Sequence, residues 1–363
     1  MRTPASRLAL IDAMKALASQ LIVLHHLAFY GPMSDFAQEL APALISWLSQ
    51  HARIAVQAFL VAAGFLAAQG LAPDGRLLAT NPPALLGKRY FKLVIPYVVA
   101  LLLSVVCAAI ARALMTHAST PDAPTLAQFI AHVLLLQSVL GYDGLSAGVW
   151  HIAIDFQLFT LLLCTLWLAR GMTSGDKATR VLGQLLVSAL ALGSLFYFNR
   201  DAAWDNWALY FFASYALGGL AYWATNRQRT PAWLLLIAAL VVAALLVDYR
   251  SRIAVALLVA MLLGIARQQG FLERWPRSPA IAWLGRISYS VFLVHFSVSL
   301  VINALFSRFA AGSPQLNLLG LLIAWAASIT AGALFYRLVE RRSGQLLQRL
   351  LLRLRPARLR LKS

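Results

Sequence analysis

Ten apolar runs, each close to or beyond the roughly 17 to 25 residues needed to cross a bilayer, constrain this chain more than any other feature. They lie near Leu8 to Tyr30, Ile54 to Leu71, Phe91 to Leu114, Val149 to Leu168, Val181 to Phe198, Trp207 to Thr225, Trp233 to Val247, Ile253 to Ala266, Ile287 to Phe306 and Leu316 to Tyr336. In hydrocarbon each backbone N–H and C=O must be satisfied within the protein, so such runs are helices. Composition agrees: the 363 residues are 61% hydrophobic and only 12% charged, against about 25% charged for a soluble domain. The expectation is an all-α polytopic membrane protein of about ten transmembrane helices. The run Leu126 to Leu140 is shorter and is read as re-entrant or interfacial, and Leu40 to Trp47 as a surface piece. Arg2 and Arg7 before an apolar run resemble a signal peptide, but no small-residue cleavage site follows Tyr30, so the run is kept as the first span. Cys107 and Cys164 both fall inside spans and read as small apolar core residues. No internal repeat or second domain is evident. Residues 1–343 form one transmembrane unit, and residues 344–363 a basic amphipathic tail on the inner leaflet.

The net charge of +18 would suggest nucleic acid in a soluble protein, but here its placement decides. With ten spans and a cytoplasmic N-terminus, Arg76 to Lys92, Arg170 to Arg180, Arg227 to Arg229, Arg267 to Arg286 and the tail Arg337 to Lys362 all fall inside. Lys15 lies within a span, and only Arg53, Arg112, Arg200, Arg250, Arg252 and Arg308 fall outside. That asymmetry satisfies the positive-inside rule with both termini cytoplasmic, and no nucleic acid is needed to explain the charge. Counting the Leu126 run as an eleventh span would put the basic tail outside.

Only two of the thirteen acidic residues lie well inside spans, Asp12 and Asp155. In the first span, Asp12, Lys15, Ser19, Ile22 and His26 follow a 3,4,3,4 spacing and form one stripe of a helix. Ionisable groups at membrane depth are costly, so a functional site is the default reading. The bland alternative is a snorkelling Lys15 neutralised by Asp12. His26 is a candidate general base, since imidazole titrates near neutrality; His25, about 100° away, faces headgroups or a neighbouring helix. Asp155 follows Trp150 in GVWHIAIDFQLF and either takes part in chemistry or pairs with Lys15 or an arginine. Arg89 and Lys92 begin the third span on one face, ahead of Pro96, and either anchor the helix or hold phosphates. Ser288, Tyr289 and His295 enter a later span behind Gly285. No face gathers ligands at metal-binding spacing, so no metal is expected.

These residues resemble the acyltransferase 3 family of integral membrane acyltransferases along nearly the whole chain. The family's Asp, Arg three on and His eleven further is matched by Asp12, Lys15 and His26. Its Arg-x-x-Arg before Pro is matched by Arg89, Lys92 and Pro96, and its Trp-x-x-x-x-Glu by Trp150 and Asp155. Gly-x-x-Ser-Tyr-Ser with a later His is matched by Gly285, Ser288, Tyr289, Ser290 and His295. Lys15 and Lys92 stand for arginines, Asp155 for glutamate, and Ala63 for the usual Ser before Gly64 and Phe65. Lysine keeps the charge but loses the bidentate fork.

The resemblance implies acyl transfer, usually of acetyl from cytosolic acetyl-CoA, to a sugar hydroxyl at or beyond the outer face. It assigns His26, Asp12, Lys15 and Asp155 to catalysis, and Arg89, Lys92, Trp150, Ser288, Tyr289 and His295 to the cosubstrate. Lys15 and His26 are eleven residues apart, about 16 Å along a helix, similar to an extended pantetheine arm. The chain ends without the extracytoplasmic hydrolase-like domain of many relatives, so it acts alone or passes the acyl group to a separate extracytoplasmic transferase. Its size suits members that modify exopolysaccharide or a lipid-linked oligosaccharide at a bacterial inner membrane. Two alternatives stand beside this: a flippase for lipid-linked sugars, disfavoured by the lack of paired broken helices, and transfer of succinyl or a longer acyl group.

Overall fold

The computed structural model describes residues 8–225, 232–310 and 312–353, with side chains to residue 350. Among these residues there are helices and no strand. The helices are α1 (Ala9–Phe29), α2 (Pro32–Ala37), α3 (Pro42–His51), α4 (Val56–Leu71), α5 (Pro82–Leu114), α6 (Leu126–Val133), α7 (Val149–Gly171), α8 (Asp176–Phe196), α9 (Ala208–Ala224), α10 (Ala232–Val247), α11 (Ser251–Gln268), α12 (Pro279–Phe309), α13 (Pro314–Phe335) and α14 (Arg341–Arg353). Each of the ten apolar runs overlies one of them.

Among the described residues, seven helical stretches are long and apolar enough to cross a membrane: Pro42–Leu71, Pro82–Leu114, Val149–Gly171, Asp176–Arg200, Ser251–Gln268, Pro279–Phe309 and Pro314–Leu350. Helices α9 and α10 are of comparable character but have only 17 and 16 residues. In α1 the polar stripe of Asp12, Lys15, Ser19 and His26 itself lowers the hydropathy. The segment Leu40 to Trp47 differs from the expected surface piece: α3 runs through a 3₁₀ turn, Ala52–Ala55, into α4. Leu44 and Trp47 face outward from α3, while Ile45 and Leu48 are buried. The Leu126 run forms the eight-residue α6, opened by a capping box between Thr125 and Gln128, with turns beyond it. Cys164 is exposed on α7 rather than part of the core, whereas Cys107 is buried. The last ten residues of the basic tail lie outside the described residues.

Three helices begin earlier than the apolar runs because capping chemistry, not hydropathy, fixes their starts. Asn81, Ser278 and Ser313 each accept a backbone N–H three residues on, and Pro82, Pro279 and Pro314 follow at the first helical position. The extension carries Lys88 and Arg89 into α5 and Gly285 into α12.

Between lipid-bathed helices the hydrophobic drive is weak, so close backbone approach at small residues supplies the packing. Helices α4 and α9 meet this way: a Cβ on Gly64 would lie 1.8 Å from the Tyr215 carbonyl oxygen, and one on Gly218 would lie 1.9 Å from that of Val61. Helix α12 crosses α1 at Gly285, where a Cβ would lie 2.2 Å from the Asp12 carbonyl oxygen. On its other side α12 meets α13 at Gly332, where a Cβ would lie 2.3 Å from Val291 Cγ2. These contacts set α12 between α1 and α13, with α5 also against it.

Candidate active site

Two clusters lie along α1, separated by the Lys15 to His26 interval. At the first, α5 and α7 are joined by Arg89, whose Nη2 donates to the Asp155 carboxylate. The guanidinium stands 5.4 Å from the Phe159 ring centroid. Its Nε is buried and donates to nothing among the described residues. Lys15 lies in the field of Asp12, Arg89, Glu340 and Asp155, and Lys92 in that of Arg89, Glu340, Lys15 and Lys88. Four cations, Lys88 among them on the exposed side, therefore share three carboxylates, a near-balance that makes such a group tolerable at membrane depth. Lys92 is itself exposed.

Glu340 is the member that sequence reasoning placed in the cytoplasmic tail. A π-helical turn, Tyr336–Glu340, follows α13. It takes up an extra residue and so rotates the chain beyond it relative to an unbroken α-helix. Glu340 then reaches α12, where Ser290 Oγ donates to its Oε2 at 2.5 Å. The neighbouring residues of the same motif do local work: Tyr289 Oη donates to the Leu93 carbonyl of α5 at 3.0 Å, and Ser288 Oγ to the Gly285 carbonyl at 3.0 Å. Both hydroxyls are thus committed to backbone oxygens.

The second cluster centres on His26. Its Nδ1 stands 2.7 Å from His295 Nε2, with the rings nearly parallel at 10°. His295 Nδ1 lies 2.8 Å from the Phe292 carbonyl oxygen, an acceptor only, so Nδ1 carries the His295 proton. Neutral His295 then offers Nε2 as a lone pair, His26 must donate from Nδ1, and the unprotonated nitrogen of neutral His26 is Nε2. The tautomer follows from the network rather than from seen hydrogens. His25 is set apart, with Nδ1 donating to the Leu48 carbonyl of α3 at 3.0 Å; it faces a neighbouring helix, one of the two environments expected for it.

The N-terminus of α7 abuts this pair. Gly148 caps the helix at φ +79°, a conformation that favours glycine. A Cβ there would lie 2.8 Å from Phe292 Cζ and 3.6 Å from His26 Cε1. The preceding loop is held by buried polar side chains: Ser104 Oγ donates to the Leu145 carbonyl at 3.0 Å, Leu145 N–H to His132 Nε2 at 3.1 Å, and Gln137 Nε2 to the Val149 carbonyl at 3.3 Å. In the first turn of α7, Trp150 stacks on Phe211 at 5.6 Å, and His151 sits between Phe59 and Phe292 with its Nδ1 buried and unpartnered.

The expected site residues thus divide into two groups. Asp12, Lys15, Arg89, Lys92 and Asp155 gather at one end, and His26 joins His295 at the other. Trp150 and His295, expected to contact the cosubstrate, belong to the histidine end; Ser288 and Tyr289 brace α12. Glu340, His151 and Tyr97 escaped the sequence reading. A glutamate amid arginines reads as solvated, and a single histidine or tyrosine in an apolar helix reads as packing. Residues 8–337 match a family model described as an acyltransferase domain. No curated protein and no solved structure matches the chain.

Proposed function

The chain belongs to the acyltransferase 3 family, and from that premise we propose that it moves an acetyl group from acetyl-CoA to a sugar hydroxyl of an exopolysaccharide or its lipid-linked repeat unit at the outer face of a bacterial inner membrane. The observation that carries the reading is the His26–His295 pair, which leaves a lone pair on His26 Nε2 one helix-length from a cationic cluster. Arg89 and Lys92 hold the phosphates at the cytoplasmic end; the buried, unpartnered Arg89 Nε and the exposed Lys92 fit an anion arriving there. Asp155 keeps Arg89 in place, and the pantetheine arm runs along the α1 stripe towards His26.

His26 Nε2 takes the proton of the sugar hydroxyl as its oxygen attacks the thioester carbonyl carbon. The C–S bond then breaks, and the thiolate leaves with the proton that the imidazolium returns. His295, accepting from His26 Nδ1, holds the imidazole in the competent tautomer and spreads the charge that it gains, the role a third group plays beside any catalytic histidine. The same Nε2, used as a nucleophile, would carry the acetyl group itself before passing it to the sugar.

The test is the acetyl content, by NMR, of surface polysaccharide from a deletion strain complemented with wild type, His25→Ala or His26→Ala at matched expression. Intact polymer lacking acetyl only with His26→Ala is the expected result. Full acetylation with His26→Ala would overturn the assignment, and loss of the polymer itself in the deletion strain would favour transport of a lipid-linked sugar instead.

A further inference from the structure

Between α5, the loop before α7 and α12 lies a narrow cavity with room for about one water-sized group. Its wall is mostly apolar, formed by Ala100, Leu101, Val149, Ile152 and Leu293 among others, with two hydroxyl-bearing residues, Ser146 and Tyr97; the Tyr97 hydroxyl is buried and has no hydrogen-bond partner among the described residues. Tyr97 is only 1% exposed. A buried hydroxyl without a partner costs about 1–3 kcal/mol, so it points to an acceptor that arrives with a ligand. The cavity adjoins the histidine pair. Ala147 and Val149 line it, and Gly148 between them faces His26 Cε1; Phe292, which also lines it, lies 6.0 Å from the His295 ring centroid to centroid. Any side chain at Gly148 would run into Phe292 and crowd the approach to His26, and its positive φ already favours glycine.

Resting on the acyl-transfer reading, we infer that this cavity is the acyl pocket. The methyl group of the acetyl thioester sits against Leu101, Val149 and Leu293, and the thioester carbonyl oxygen accepts a hydrogen bond from Tyr97. Gly148 is the aperture that lets the carbonyl carbon stand before His26 Nε2. The size of the cavity then sets the acyl preference: its single small space takes the methyl group of acetyl, whereas the longer chains of propionyl and butyryl must displace packed side chains. Tyr97 is one of the donors that meet the charge developing on the carbonyl oxygen, a place neither Ser288 nor Tyr289 is free to take.

The experiment uses the full-length protein in nanodiscs, with CoA, acetyl-CoA and propionyl-CoA as probes in equilibrium binding, and acyl transfer measured on membranes of the complemented strain. Wild type should bind acetyl-CoA about tenfold more tightly than CoA, the effect of one buried methyl group and one hydrogen bond together. Tyr97→Phe should erase most of that difference and lower kcat at least tenfold while leaving CoA binding unchanged. Leu101→Ala should raise the propionyl-to-acetyl ratio of kcat/KM at least tenfold. Leu102→Ala, on the exposed face of the same helix, should leave the ratio where it is. A wild type that binds acetyl-CoA and CoA equally, a Tyr97→Phe protein with wild-type kcat, or a Leu101→Ala protein that behaves like Leu102→Ala would overturn the pocket while transfer by wild type leaves the acyltransferase reading standing. A wild type that transfers no acyl group from any thioester would remove the reading and the pocket together. Should Leu101→Ala fail to fold, Leu293→Ala enlarges the opposite wall and carries the same expectation.

Discussion

Replacing His295 by leucine tests the histidine pair most sharply, because it removes one acceptor while leaving the charged cluster and the acyl pocket untouched. In the native arrangement the Phe292 carbonyl fixes the proton on His295 Nδ1, and His295 Nε2 fixes the proton on His26 Nδ1. With leucine there, a proton on His26 Nδ1 is buried without an acceptor, at a cost of about 1–3 kcal/mol. The imidazole recovers that energy by moving the proton to Nε2, which removes the lone pair proposed to react. Each 1.4 kcal/mol is a factor of ten in population, so the competent tautomer falls by about 5- to 150-fold, and kcat with it. The loss of charge sharing in the transition state adds to this, within the range of 10² to 10⁴ typical of general-base contributions. His295→Gln, whose amide oxygen accepts from the same direction, should recover part of the loss. The assay is acetyl transfer at saturating acetyl-CoA, with acetyl-CoA binding measured on the same preparations; kcat should collapse and binding should not. A His295→Leu protein with kcat within threefold of wild type, or one that loses binding in proportion to turnover, would refute the tautomer argument.

Two further outcomes follow from the packing around the site. Asp155→Asn leaves the Arg89 guanidinium in the bundle without its carboxylate; stability should fall by about 3 kcal/mol, read as a lowered unfolding temperature in detergent, and Arg89→Gln added to it should recover much of the loss. A double variant no more stable than Asp155→Asn would show that the pair is not the cause. Gly285→Ala places a Cβ 2.2 Å from the Asp12 carbonyl oxygen, so α12 must move away from α1 by about 1 Å to reach ordinary contact; since His295 and His26 ride on these two helices, turnover should drop about 10²-fold even where the protein remains folded. Wild-type turnover in a folded Gly285→Ala protein would mean that α12 absorbs the shift before it reaches His295.

The helices were legible in the sequence because hydropathy acts locally: Leu8 to Tyr30 or Phe91 to Leu114 need no knowledge of their neighbours to be read as spans. Their starts were less so, since Asn81-Pro82 and Ser278-Pro279 extend α5 and α12 by chemistry that a hydropathy window does not weigh. Much of the charged cluster was legible for a different reason. Asp12, Lys15 and Asp155 are expensive where they stand, and the expectation that Asp155 pairs with a lysine or an arginine is met by Arg89. What the sequence could not convey was which helices meet. The His26–His295 contact depends on α12 crossing α1 at Gly285, a relation between positions 269 residues apart at the histidines.

Glu340 shows the limit most clearly, and it changes how the cluster is understood. By periodicity it continues α13 into a run of arginines, where a carboxylate is expected to be solvated. One π-helical turn re-aims it at Ser290, so a fourth span reaches a site that otherwise belongs to α1, α5 and α7. A motif centred on Ser288, Tyr289 and Ser290 then acquires a division of labour that residue types alone do not suggest. Tyr289 ties α12 to α5 through Leu93, Ser290 ties it to the end of α13 through Glu340, and His295, about two turns further along the same helix, completes the pair with α1. A single helix thereby couples the geometry of the cationic end to that of the histidine proposed to react. An anion drawing Lys92 or Lys15 away from Glu340 would be felt along α12 at His295, and the acetyl-CoA proposed as acyl donor would carry such anions.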